Sequence, residues 1–79
     1  MRTRIKLCGF KTEDTVRAAT RAGADAVGFV FYPPSPRHIE VQQAGQLARC
    51  LGAWQTPVAL FVNPQADFVN SVIKEIPNV

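Results

Sequence analysis

Asp25-Ala26-Val27-Gly28-Phe29-Val30-Phe31 runs directly into Tyr32-Pro33-Pro34-Ser35-Pro36-Arg37-His38. The first seven residues have the length of a strand but lack the alternation of a half-solvated one. They are expected to form a strand covered on both faces, as in a parallel sheet. The run ends at three prolines in four residues, a stiff extended loop expected neither to pair nor to coil.

Upstream, Arg4-Ile5-Lys6-Leu7-Cys8 alternates strictly, which puts Ile5 and Leu7 on one face of a first strand and Arg4, Lys6 and Cys8 on the other. Gly9 breaks it. Thr12 is placed to cap a helix with Glu13 and Asp14 in its first turn and Val16, Ala19 and Ala22 as its apolar positions, and Gly23 is the natural stop. Downstream, Val41, Ala44, Leu47, Ala48 and Leu51 recur at helical spacing up to Gly52, with Cys50 inside the helix but off its apolar line. Thr56-Pro57-Val58-Ala59-Leu60-Phe61-Val62 is expected as a third buried strand, its proline at the start. Asn63 and Pro64 then form a cap and first turn for a helix striped by Phe68, Val69, Val72, Ile73 and Ile76.

Three strand–helix units in a row, repeating every roughly 25–30 residues, define a parallel sheet wound by right-handed crossovers. Two closures fit the pattern: a three-stranded sheet with helices on both faces, or an arc of a (β/α)₈ barrel. Strands covered on both faces leave two unpaired edges that one helix layer does not hide. With 79 residues against the ~100–150 of a common domain, the chain is expected to need self-association or further polypeptide to complete its core.

Composition narrows the function. The chain is 47% hydrophobic and 19% charged, which fits neither a disordered segment nor a membrane span. Its net charge of +3 draws on Arg2, Arg4, Lys6 and Lys11, a cluster suited to an anion. It lacks the broad basic stripe with interleaved aromatics that nucleic acid requires. The first residues lead into no signal-peptide core, so a cytoplasmic protein is expected. Cys8 and Cys50 share no metal or disulfide spacing, and no metal site is expected.

Cys8 stands out because it ends the first strand on the carboxyl side, where parallel α/β proteins build their sites. Lys6 lies one pleat away on the same face, and a cation there favours thiolate over thiol. The same cysteine also fits a small buried apolar position. The polar face of Arg4, Lys6 and Cys8 suits either the mouth of a barrel lumen or a half-exposed edge strand. Arg37 closes the proline-rich loop on the same carboxyl side and is either a carboxylate or phosphate clamp or a solvated surface group. His38 is set aside as an ordinary loop histidine. Trp54 is expected to anchor packing between the second helix and third strand, and Asp14 and Asp25 to serve structure. No glycine-rich phosphate loop occurs.

Lys6-Leu7-Cys8-Gly9, Gly23-Ala24-Asp25-Ala26-Val27-Gly28-Phe29-Val30-Phe31, Tyr32-Pro33-Pro34-Ser35-Pro36-Arg37 and Phe61-Val62-Asn63 together resemble the amino-terminal part of the phosphoribosylanthranilate isomerase family of tryptophan biosynthesis. The resemblance implies that residues 1–79 are the first three units of a (β/α)₈ TIM barrel, incomplete in this chain. It implies an aldose–ketose isomerase performing an Amadori rearrangement on a phosphorylated small molecule, without metal or organic cofactor. Cys8 matches the general base and Arg37 the arginine on the anthranilate carboxylate, with Lys6 as the neighbouring cation that supports the thiolate. The family's general acid and phosphate loops have no match here; Asp25 and Asp67 do not fit the acid's place. The chain alone is therefore expected to be inactive. Two other readings stay open: a non-catalytic, self-associating α/β module, and a different cysteine enzyme of the α/β class.

Overall fold

The computed structural model describes residues 4–79; Arg2 of the basic cluster and the rest of the start expected not to be a signal peptide lie outside them. Within them the order is β1 (Lys6–Cys8), α1 (Glu13–Arg21), β2 (Ala26–Val30), α2 (Val41–Ala48), β3 (Thr56–Leu60) and α3 (Ala66–Glu75). The strands form one parallel sheet in the order β1-β2-β3. This is the (βα)₃ arrangement the sequence predicts.

The sequence left open whether helices cover one face of the sheet or both. Val27, Phe29 and Phe31, on one face of β2 and its extension, join a single buried cluster with Val16 and Ala19 of α1, Ala44 and Leu47 of α2, and Val72 and Ile76 of α3. All three helices thus pack on one face. The register pairs Cys8 with Gly28 and Gly28 with Val58, and Lys6 with Ala26, so these residues share the opposite face. Among the described residues no helix covers that side, as in an arc of a barrel whose lumen the polar face of β1 would line.

Burial is less complete than the apolar runs imply. β2 is the central strand and buries Val27, Gly28 and Phe29. In contrast β1 is exposed along its length, as is Ile5 just before it, and β3 buries only Pro57 fully. Both are edges, so each lacks the neighbour that would cover it. Pro57 occupies the second position of β3, not the first. The Thr56 N–H points to β2, donating to the Asp25 carbonyl at 3.0 Å, so the missing donor of Pro57 faces the open edge, where proline is tolerated.

Thr12 caps α1 as expected, its hydroxyl accepting from the Thr15 N–H. At the other end Gly23 has φ +87°. The Gly23 and Ala24 amides donate to the Thr20 and Ala19 carbonyls, a Schellman closure, and Ala22 is the exposed cap and not a core position. Other boundaries move. α2 ends at Ala48, so Cys50 lies past it in a tight turn whose amide donates to the Leu47 carbonyl. Asn63 does not cap α3: it takes the left-handed conformation, φ +46°, which asparagine tolerates better than most residues. Gln65 takes the cap position without a side-chain hydrogen bond.

The proline-rich segment does coil and pair, contrary to expectation. Ser35 N–H donates to the Tyr32 carbonyl and His38 N–H to the Ser35 carbonyl, giving two successive turns, and His38 then forms a parallel bridge to Val30. Pro33 and Pro36 each stand second in their turn, where a preset φ promotes turning.

Candidate functional site

Cys8 is a free, exposed cysteine at the carboxyl end of β1, not a buried apolar residue. Its side chain lies over Gly28: a Cβ built on Gly28 would fall 2.9 Å from the thiol sulfur, and 3.1 Å from Leu60 Cδ1. Beyond Cys8 the chain turns across the end of the sheet, with the Gly9 amide donating to the Gly28 carbonyl at 3.0 Å. Gly9 itself has φ +89°.

Arg37 reaches the same place from the β2–α2 loop. Its aliphatic stem crosses Gly9 so closely that a Cβ there would stand 2.5 Å from Arg37 Cδ. Cys8, Gly9, Lys11, Thr12 and Arg37 line one shallow cleft of about 300 Å³ at the carboxyl ends of the strands. The two side chains singled out in the sequence therefore line the same cleft. Lys6 shares the thiol's face one pleat below, opposite Ala26, but does not line the cleft.

Hydrogen bonds tie the two loops together. Lys11 Nζ donates to the Pro36 carbonyl at 3.3 Å, and Gln43 Nε2 to the Lys11 carbonyl at 2.6 Å. The Arg37 amide donates to Ser35 Oγ at 3.1 Å. The cleft lining carries cationic side chains and no carboxylate, so it suits an anionic ligand next to a thiol.

Gly28 and Lys11 were not picked out from the sequence as site residues. A glycine inside an apolar strand run does signal close approach of another group, but not that the group is the Cys8 thiol. Lys11 counted only as one of a basic cluster. His38 faces elsewhere: its Nδ1 is 4.0 Å from Glu40 Oε1, and it lines a separate cavity with Phe31, Tyr32 and Phe68. Trp54 is 96% exposed, which overturns its expected role as a packing anchor. Gln55 holds that connection instead, accepting from the Gly52 amide and the Thr20 hydroxyl and donating to the Ala24 carbonyl. A polar loop with unpaired backbone groups close by is secured by an amide side chain more readily than by an indole, which has a single donor. Asp25 does serve structure, accepting from the Ile5 amide at 2.8 Å.

Among the described residues no group of three or more His, Cys, Asp or Glu is placed to hold a metal ion, and no helix is long and apolar enough to cross a membrane.

No family model matches the chain. A curated relative from Bordetella parapertussis, N-(5'-phosphoribosyl)anthranilate isomerase, is 51% identical over 76 residues, covering 96% of this chain and 35% of the relative. The crystal structure of phosphoribosyl anthranilate isomerase from Thermotoga maritima superposes with a TM-score of 0.91 at 32% identity, over 98% of this chain and 38% of that one. A structure of phosphoribosyl anthranilate isomerase in complex with reduced 1-(o-carboxyphenylamino)-1-deoxyribulose 5-phosphate matches equally well, TM-score 0.91 at 32% identity, over 98% and 40% of the two chains. The chain spans about a third of the length of these relatives. The resemblance to the amino-terminal part of this family, and the parallel barrel segment it implies, are thus both found.

Proposed function

We infer that residues 1–79 form the amino-terminal (βα)₃ portion of a phosphoribosylanthranilate isomerase, and that the barrel they help to build converts N-(5'-phosphoribosyl)anthranilate to 1-(o-carboxyphenylamino)-1-deoxyribulose 5-phosphate. The observation that carries this reading is that Cys8 and Arg37 line one cleft at the carboxyl ends of the strands, in a chain half identical over its length to proteins of that name.

In the proposed reaction the ring-opened substrate is a Schiff base. The Cys8 thiolate takes the proton from C2, the electrons of that bond form C1=C2, and the electrons of the protonated imine move onto nitrogen. The resulting enol relaxes to the C2 ketone. A base of this kind works best when its pKa lies near the operating pH. Arg37 offers a planar pair of N–H donors to the anthranilate carboxylate, and the stem resting on Gly9 limits the rotamers it must give up on binding. Lys6 adds positive charge to the lumen face, opposite in sign to a thiolate and to a phosphorylated ligand. No metal or organic cofactor is needed for these steps.

The reaction also needs an acid for the ring oxygen and a phosphate grip. The cleft lining includes no carboxylate, so both are assigned to barrel units beyond these three, and the 79 residues alone are assigned no turnover. A cytoplasmic location fits a biosynthetic enzyme of this kind. Complementation of a tryptophan auxotroph tests the reading: the complete coding region is expected to restore growth and this segment alone is not. Failure of the complete region would refute the assignment.

A further inference from the structure

Lys11 is unlike the other cations of the site, because its ammonium is already engaged by the backbone of a neighbouring loop. Its Nζ donates to the carbonyl of Pro36, the residue before Arg37, at 3.3 Å. Its own carbonyl is held by Gln43 of α2 at 2.6 Å, so main chain and side chain of one residue both link the β1–α1 loop to the second unit. Arg37 rests on Gly9, two residues before Lys11.

Resting on the functional reading above, we propose that Lys11 is a positioning residue for Arg37, strapping the Pro36 peptide to the β1–α1 loop so that the guanidinium stands beside the Cys8 thiol. The proline-rich loop carries its own turns through Ser35, which fix its shape. Those bonds are internal, and the His38 bridge to Val30 anchors the far end of the loop on β2. The Lys11 strap and the contact with Gly9 are what tie the stretch carrying Pro36 and Arg37 to the β1–α1 loop. A lysine suits the task because a charged donor makes a stronger bond to a carbonyl than a neutral one.

The test needs no turnover. In the complete protein, alkylation of Cys8 is followed by peptide mass spectrometry with iodoacetate, an anion, and with iodoacetamide, its neutral counterpart; the ratio of the two rates reports whether a cation stands beside the thiol. Arg37→Met is expected to lower the ratio roughly three- to tenfold, the range a single lost polar contact allows. Lys11→Met is expected to lower it by a similar factor and Lys11→Arg to restore most of it. The double variant is expected to fall no further than Arg37→Met alone, since a strap acts only through what it holds. A Lys11→Met ratio equal to that of the unaltered chain would overturn the proposal. So would a double variant lower than Arg37→Met by the full Lys11→Met factor, which would mean that Lys11 attracts the anion by its own charge. Failure of the isomerase reading shows separately, as a complete enzyme that does not restore growth.

Discussion

Gly9 and Gly28 leave room for the Arg37 and Cys8 side chains, because a methyl group at either position would occupy space that one of them uses. Gly28→Ala is expected to displace the thiol, at an overpacking cost of about 1–3 kcal/mol, and to slow iodoacetamide alkylation of Cys8 or raise it by exposing the sulfur. An unchanged rate would contradict the packing. Gly9→Ala meets two obstacles, a φ of +89° and the Arg37 stem, and is expected to cost about 1–3 kcal/mol, read by thermal unfolding. Cys8 was legible because a cysteine followed by glycine ends an alternating strand on the side where sites are built. Arg37 was legible because prolines fix the loop that carries it. Their sharing one cleft was not, since it depends on the turns within that loop, and nothing local to Lys11 signals its bond to Pro36.

At the scale of elements, local signals carried furthest. Both ends of α1 were readable, because Thr12 and Gly23 act within a turn of their own positions; Thr12→Ala is expected to cost about 0.5–2 kcal/mol, measured by denaturant unfolding. The start of α3 was misread because asparagine serves equally as a cap and as a left-handed residue, and only the path of the chain after β3 selects between them. The docking of α2 on α3 was hidden as well. A Cβ on Gly45 would meet Glu75 Cγ and Oε1 at 2.7 Å, but these atoms end a flexible side chain that can swing away. Losing the loose Arg49–Glu75 pair at 3.9 Å costs at most about 1 kcal/mol, and alanine returns about as much in helix propensity. Gly45→Ala is therefore expected to lie within about 1 kcal/mol of neutral by chemical denaturation; a larger loss would mean that Glu75 is fixed in place.

Across the whole molecule, the placement of the three helices on one face and the open edge beside β3 explain why a strand that reads as apolar throughout is half open. Among the described residues no helix lies over the face of Cys8, Gly28 and Val58, and Ile73 on α3 stands 49% exposed beside the open edge of β3. Apolar runs in the sequence show that a strand is to be covered but not which part of the polypeptide covers it. Association of the isolated segment through these edges is expected. Two copies supply six strands and three supply nine, neither matching the eight of this barrel type, so sedimentation is expected to show mass rising with concentration without a sharp plateau. A dilute, cooperatively melting monomer would contradict that. The most direct measurement of the proposed function is steady-state turnover of N-(5'-phosphoribosyl)anthranilate by the complete protein carrying Cys8→Ser. With Cys8 as the base, kcat is expected to fall by several orders of magnitude with little change in KM, whereas turnover near that of the unaltered enzyme would remove Cys8 from the chemistry.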